Sequence, residues 1–458
     1  MKLRKTREQG IAILVTALSM VVVAATMGLA VDGSMLFLAK GRMSAAVDAA
    51  ALAGARSLNR GLDLASQTAA ATTVTEDFFH ANFPDHFMGA TNIAVNVSIA
   101  ETGYRVRTVA VTAQAEVPTY FLQVFRISST TVSASATSSR RDVNVMVVLD
   151  RSSSLESAGV CDTMKDSARE FVAKFAAGRD RVGLLTFGGS FRVDYAPSMD
   201  FKTDSPSIDT LISEISCSGN TGTAQALWEA YQQIVALNEP GALNLIVFFT
   251  DGLPNGITAD FNNELKSSST CKYKDSNHPK IGFIAQWANG APTGTTAGVM
   301  NPYASSISNA NETAVANSQN CSFGPPGSTQ NLSKMRNDIS AMPATDYYGN
   351  ATTGYEAVNL TRVDLPPQIK AASANAADNA AQRIRADTNL NVVTYAIGLG
   401  GTSSEPADPV FMERVANDPL SPIFDSTRPA GLYVYAPTYA QLSQAFSKVA
   451  SEILRLAQ

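Results

Sequence analysis

The sequence predicts an α/β protein in three parts: an N-terminal transmembrane helix, a small α+β module, and a doubly wound, Rossmann-like domain with a large insertion. Three observations predict it. A basic N-terminus is followed by the uncharged run GIAILVTALSMVVVAATMGLAV. Apolar and polar residues then alternate through IAVNVSIAETGYRVRTVAVTAQAEVPTYF, the sign of half-buried antiparallel strands. From Val143 onward, strand-like runs alternate with helical stretches, as in a parallel sheet covered on both faces.

The chain has 458 residues, enough for more than one domain and a sizeable core. A formal net charge of −5 speaks against a nucleic-acid partner, which calls for a basic face. No glycine-rich loop ends in Gly-Lys-Ser/Thr, so no nucleotide is expected. Only 16% of residues are charged, and Ala, Ser, Thr and Asn are abundant, which suits an extracytoplasmic protein.

Residues 1–9 carry Lys2, Arg4, Lys5 and Arg7 and read as a cytoplasmic basic tail. Residues 10–31 read as the anchor. As a helix the run measures roughly 33 Å, against about 30 Å of hydrocarbon. The basic flank places the N-terminus in the cytoplasm and everything after Asp32 across the membrane, a single-pass topology. A cleaved signal peptide, with Gly28-Leu29-Ala30 at the cleavage site, is the rival; its apolar region would be unusually long.

Residues 32–57 extend the helix with Ala-rich sequence. Ala45, Ala46, Ala49, Ala50 and Ala53 form a small-residue surface for another helix or for the protein's own next domain. Residues 58–141 read as the α+β module and 142–458 as the doubly wound domain. Within the latter, about 253–365 depart from the pattern and read as an inserted subdomain whose removal leaves the main fold intact.

Four cysteines, Cys161, Cys217, Cys271 and Cys321, suit an oxidising compartment. Of three connectivities, Cys161–Cys217 with Cys271–Cys321 keeps each pair within one structural segment.

Two buried-strand runs, VNVMVVLD and LNLIVFFTDG, deliver Asp150 and Asp251 to their carboxyl ends, where open α/β sheets gather ligands. Between them, SGNTGTAQAL presents Thr221 on a glycine-rich turn before a helix. Asp150, Ser152, Ser154, Thr221 and Asp251 make an all-oxygen set suited to a hard divalent cation. In an extended turn, Ser152 and Ser154 would point the same way. Neutral hydroxyls leave the ion net positive charge with which to take a further oxygen from outside. Taken singly, an Asp-x-Ser after a strand serves more often as a helix N-cap, and Thr-Asp-Gly as a turn.

LDRSSS, SGNTGT and FFTDG resemble the three loops of the metal-ion-dependent adhesion site (MIDAS) of von Willebrand factor type A domains. The resemblance implies Mg²⁺, with Mn²⁺ or Ca²⁺ as alternatives, held directly or through water by the five residues above. It also implies a protein partner whose acidic residue completes the cation. Arg151 falls beside the site, where it would either weaken the cation or attract the acidic ligand. The N-terminal region, RKTREQGIAILVTALSM and GLAVDGSMLFLAKGRMSAAVDAAALAGA, resembles TadG-like proteins of the tight-adherence (Tad/Flp) pilus assembly system. That implies a bacterial inner-membrane protein, its main domain periplasmic or extracellular, with other Tad assembly proteins as partners. Val15 stands where related pseudopilins carry Glu beyond Gly10, a departure that fits a permanent anchor.

Three functions compete. The first is a membrane-anchored, cation-dependent binding module for pilus assembly or adhesion. The second is a structural pilin-like subunit whose A domain is a scaffold. The third, a serine hydrolase at Ser152 or Ser153, needs a base from His80, His86 or His278 and lacks a G-x-S-x-G elbow, so no catalytic residues are assigned. Intact-mass measurement of membrane-extracted protein should find residues 1–30 retained; a mature chain beginning at Val31 would mark a cleaved signal peptide.

Overall fold

In the computed structural model, residues 5–189, 191–260, 280–286, 297–300, 322–323, 341–361, 366–401 and 406–457 are described. They divide into two units, Met1–Arg140 and Arg141–Ala457.

In the first unit a single helix, α1 (Lys5–Ser57), continues from the basic tail through the uncharged run into the Ala-rich stretch. No proline interrupts it. Ile13, Leu18, Val21 and Met27 are exposed, and from Ala12 the helix is long and apolar enough to cross a membrane. Further along, Ala39, Met43, Ala46, Val47 and Ala50 recur at helical spacing and are buried. Their partners are α2 (Leu64–Asn82) and a sheet of order β1 (Thr91–Gly103), β2 (Val106–Pro118), β3 (Ser129–Arg141). Gly54 sits where α1 meets α2; a Cβ there would overlap Thr75 Oγ1. Of the small residues singled out in the sequence, Ala46, Ala50 and Ala53 are buried within the unit, Ala49 is half-buried and Ala45 is exposed.

The second unit runs β4 (Val143–Asp150), α3 (Ser153–Ser157), α4 (Cys161–Ala173), β5 (Arg181–Phe187), β6 (Phe191–Ser198), α5 (Ile208–Ser213), α6 (Thr223–Leu237) and β7 (Leu243–Thr250). It continues with β8 (Gly256–Asp260), β9 (Ile281–Gln286), β10 (Ala297–Met300), β11 (Ser322–Phe323), α7 (Pro366–Arg385), β12 (Val393–Leu399), α8 (Pro409–Ala416), β13 (Leu432–Ala436) and α9 (Leu442–Leu456). Six strands form one sheet in the order β13-β12-β7-β4-β5-β6, parallel except for β6, which returns from β5 as a hairpin.

The sheet is wound on both faces because its central strands, β4 and β7, are largely apolar and buried along almost their whole length. Val145, Val147 and Leu149 of β4 pack with Phe171 of α4 and Phe446 of α9. Met146 and Val148, one residue out of step, pack with Leu227 of α6 and Ala380 of α7. The chain moves outward from β4 through β5 and β6, then resumes on the other side of β4 at β7. The crevice between the ends of β4 and β7 is therefore the point where strand order reverses.

The insertion is more deeply rooted than a removable subdomain. Its strands form a sheet of order β11-β10-β9-β8. Ile257, Ala259, Ile284 and Met342 are buried in the same apolar cluster as Met146 and Val148. Each large apolar side chain contributes about 1.5–3 kcal/mol on burial. Losing the packing of Ile257, Ile284 and Met342 together rivals a typical domain stability of about 5–15 kcal/mol. Deletion of residues 256–360 should therefore open the core, where the sequence alone suggested an intact main fold.

Cys161, the first residue of α4, is disulfide-bonded to Cys217. Cys271 and Cys321, and with them the second expected disulfide, lie outside the described residues. Cys161 and Cys217 are 56 residues apart, a loop closure corresponding to about 4 kcal/mol on the chain-entropy account. Replacing both by Ser should lower the denaturant midpoint of the second unit, with a loss of about 2–4 kcal/mol in equilibrium unfolding. An unchanged midpoint would show that the cross-link does not support the fold.

Candidate metal centre

Parallel pairing of β4 with β7 sets Leu149 opposite Phe249, so the next residues, Asp150 and Thr250, emerge side by side. The Thr250 hydroxyl donates to Asp150 Oδ2 at 2.5 Å and accepts from the Gly252 N–H at 3.2 Å. Asp150 Oδ1 accepts the Ser152 N–H at 2.8 Å. Asp251 follows directly, and both carboxylates are wholly buried.

Ser152 occupies the N-cap position of α3, with extended backbone, yet its hydroxyl makes no capping bond. Ser152 Oγ instead lies 3.0 Å from Ser154 Oγ and 3.4 Å from Asp251 Oδ1. Ser154 donates to the same Asp251 oxygen at 2.9 Å. A Ser at this position normally satisfies an orphan helix N–H; here the hydroxyl is turned towards a buried carboxylate. Ser154 belongs to the short helix α3 and not, as the sequence suggested, to an extended turn. The two hydroxyls converge because the N-cap residue is extended while the helix turns the following residues back.

The third loop is held to the first two by its backbone. Ser153 N–H donates to Gly219 O at 3.0 Å, and Ser218 N–H donates to Arg151 O at 2.5 Å. Thr221 and Asn255 make a reciprocal pair: Thr221 N–H to Asn255 Oδ1 at 2.8 Å, and Asn255 N–H to Thr221 O at 3.1 Å. Thr221 is thus buried at the rim, between the loops after β4 and β7. Gly222 must lack a side chain, since a Cβ would stand 2.9 Å from the Phe283 ring and 3.0 Å from Gly188 O. The disulfide secures the same loop from behind, joining Cys217 to the start of α4.

Asp150, Ser152, Ser154 and Asp251 therefore meet in one cluster, with Thr221 on the loop clamped beside it. Thr250 and Asn255 were not singled out in the sequence. Both position others, and their signal, one strand register and one reciprocal pair, exists only once the chain is folded. Arg151 departs from expectation: its side chain is fully buried, and its charge is felt by Asp194 on β6, alongside the Arg192–Asp194 ion pair at 2.9 Å. His80 and His86 belong to the first unit, and His278 lies outside the described residues.

Burial, followed by repulsion from Asp251, pushes the Asp150 carboxyl up to about 7, against the opposing hydrogen bonds from Thr250 and Ser152. Two carboxylates crowded in a dry pocket are relieved by a proton or by a cation. Among the described residues no three His, Cys, Asp or Glu side chains converge as a metal group. The donors here are two carboxylates with hydroxyls, which fits a hard, oxygen-seeking divalent ion. Ser154 is half-buried and Ser153 exposed, so access to the cluster from solvent is on that side.

Residues 145–253 match the von Willebrand factor type A domain family, and residues 10–57 match the Flp pilus-assembly TadE/G-like family. The chain joins a TadE/G-like N-terminal segment to a von Willebrand factor A domain. All five residues proposed from sequence fall within the matched part of the A domain. No curated protein gives a significant match. Among solved structures, the chain is similar to the pilus adhesin SpaC of Lactobacillus rhamnosus GG, at 13% identity and TM-score 0.38. That match covers 80% of this chain but only 35% of the adhesin. The vWF domain of the type V pili tip protein Mfa5 of Porphyromonas gingivalis is 16% identical, with TM-score 0.37, covering 70% of this chain and 97% of that one. Proximal thread matrix protein 1 of the mussel byssus, whose MIDAS motif is zinc-occupied, is 14% identical with TM-score 0.34, covering 68% and 47%.

Three outcomes follow for the A domain. Cation affinity should weaken as pH falls through about 7, because the cation-free site takes up a proton on Asp150. Over the same fall, the cation-free fold should gain stability, since folded Asp150 binds a proton that the unfolded chain takes only near 3.8. Thr250→Val, which removes the donor to Asp150, should weaken cation binding about 10–100-fold and move the pH midpoint upward. Titration calorimetry across pH checks the two binding outcomes, and cation-free denaturant unfolding across pH checks the third. An affinity independent of pH and of Thr250, or a stability that does not rise as pH falls, would contradict them.

Proposed function

We propose that this protein is a membrane-anchored, extracytoplasmic binding module of Tad/Flp pilus assembly or surface adhesion, whose A domain grips a protein partner through a divalent cation. The observation that carries this reading is the Ser152 hydroxyl. It sits at a helix N-cap, forgoes the cap, and joins Ser154 against Asp251 beside an Asp150 whose carboxyl is pushed up by burial. A purely structural turn gains nothing from that arrangement, whereas a cation site needs it.

Asp150, Ser152, Ser154, Thr221 and Asp251 would hold the cation, Mg²⁺ by preference, directly or through water. The cation would supply a positive centre on which an acidic side chain of the partner completes the oxygen shell. Thr250 orients Asp150, and Asn255 orients the Thr221 loop. Uncharged hydroxyls beside two carboxylates keep the ion attractive to a third carboxylate. The TadE/G-like segment and the apolar half of α1 support anchoring in a bacterial inner membrane with the basic tail cytoplasmic. Other Tad assembly proteins are the partners this reading favours. The scaffold reading, in which the Ala-rich stripe builds a helical assembly, is weakened by burial of Ala46, Ala50 and Ala53 within the protein's own first unit.

Asp251→Ala should abolish Mg²⁺ binding in calorimetry and remove cation-dependent stabilisation, while the far-ultraviolet circular dichroism spectrum stays native. Cells carrying it should lose pilus assembly or adhesion. Normal piliation together with normal partner binding would favour the scaffold role instead.

A further inference from the structure

The connection between β2 and β3 holds an apolar surface that none of the above uses. Tyr120, Phe121, Val124, Phe125 and Ile127 are 57%, 47%, 82%, 65% and 44% exposed. Arg126 is the sole charged residue from 119 to 128. The loop is ordered by its own bonds. Thr119 N–H donates to Ser128 O at 3.1 Å, the Thr119 hydroxyl to Ile127 O at 2.6 Å, and Gln123 Nε2 to Thr119 O at 2.7 Å. Leu122–Phe125 form a single 3₁₀ turn. These bonds hold the apolar side chains outward.

What faces them follows from where the loop is fastened. The Asp32 carboxylate, buried at the end of the uncharged run of α1, accepts the N–H groups of Tyr120, Phe121 and Leu122 at 2.9, 2.9 and 2.7 Å. One turn earlier, the Phe121 ring lies directly on Gly28, where any Cβ would overlap it. Four residues of helix rise place Gly28 about 6 Å nearer the bilayer centre than Asp32. Side chains of interfacial segments sink to a comparable depth, about 5–10 Å. The loop is thus continuous with the apolar surface of α1 at the height where the helix leaves the hydrocarbon.

We infer that residues 120–127 are a second membrane contact, inserted into the headgroup and upper acyl region of the leaflet from which α1 emerges. The occupant of this surface is lipid. Phe121, Val124 and Phe125 suit the acyl boundary; Tyr120 and Arg126 suit the headgroups. With α1 alone the first unit could swivel about one axis, and the loop supplies a second point of attachment. This inference rests on the reading of α1 as a membrane anchor.

The test uses the full chain in vesicles of phosphatidylcholine and phosphatidylglycerol, brominated either high on the acyl chains or near the bilayer centre. Native Trp228 and Trp287 give the baseline emission. Phe125→Trp should add blue-shifted emission, most of which is lost to the shallow bromines. Val21→Trp, midway along the anchor, should be quenched chiefly by the deep ones. Tyr104→Trp lies at the far end of the β1–β2 hairpin, about 40 Å along β2 from the loop, and should show no added quenching. Emission from Phe125→Trp that escapes the bromines while Val21→Trp is quenched would overturn the inference and leave the anchor standing. If that emission is blue-shifted yet unquenched, protein covers the loop and the inference is likewise overturned. Failure of Val21→Trp to respond to deep bromines would remove the anchor reading and this inference with it.

Discussion

Two carboxylates buried within one cluster are the constraint around which the second unit is arranged. Asp150 and Asp251 stand at the ends of neighbouring parallel strands, and nothing apolar can make that juxtaposition favourable. The fold manages it with directed donors: Thr250 and the Ser152 N–H on Asp150, Ser154 and Ser152 on Asp251. These bonds oppose the repulsion without removing it, and the Asp150 carboxyl remains pushed up. A residual electrostatic deficit of this kind is what the proposed cation, or a proton, would relieve.

The surrounding structure keeps this cluster in place. Parallel pairing aligns the two acids to within one residue, and the sheet is apolar on both faces, which makes a register slip costly. The Cys161–Cys217 bond, the Thr221–Asn255 pair and the contact of Ser153 with Gly219 fasten the third loop from three directions. The insertion begins directly after Asp251 and is rooted in the core through Ile257 and Ile284. Its first residues therefore inherit the rigidity of the sheet and are part of the rim of the site.

The first unit works by a different physical logic. Its helix changes character partway along: side chains from Ile13 to Val31 are mostly apolar and exposed, while those beyond Ala39 turn a regular stripe into a protein core. Asp32 marks the changeover, and its carboxylate satisfies three backbone N–H groups that a tight loop would otherwise leave unpaired.

By itself the sequence determined the properties that depend on near neighbours. The uncharged run, the alternation in β1 and β2, and the largely apolar runs of β4 and β7 leading to Asp150 and Asp251 were legible because burial imposes a period on the chain. The pairing of Cys161 with Cys217 followed from reading both into one structural segment. Tertiary structure decided whatever depends on residues far apart in the chain. Thr250 meets Asp150 across a hundred residues, Asn255 meets Thr221, Arg151 is buried within the range at which its charge acts on Asp194, and Ile257 enters a core built by α6 and α7. Only the fold revealed that Ser152 leaves its helix uncapped, because a Ser before a helix reads the same in sequence whichever way its hydroxyl turns. Periodicity reports which face is dry; it carries no information about which polar groups meet once water has gone.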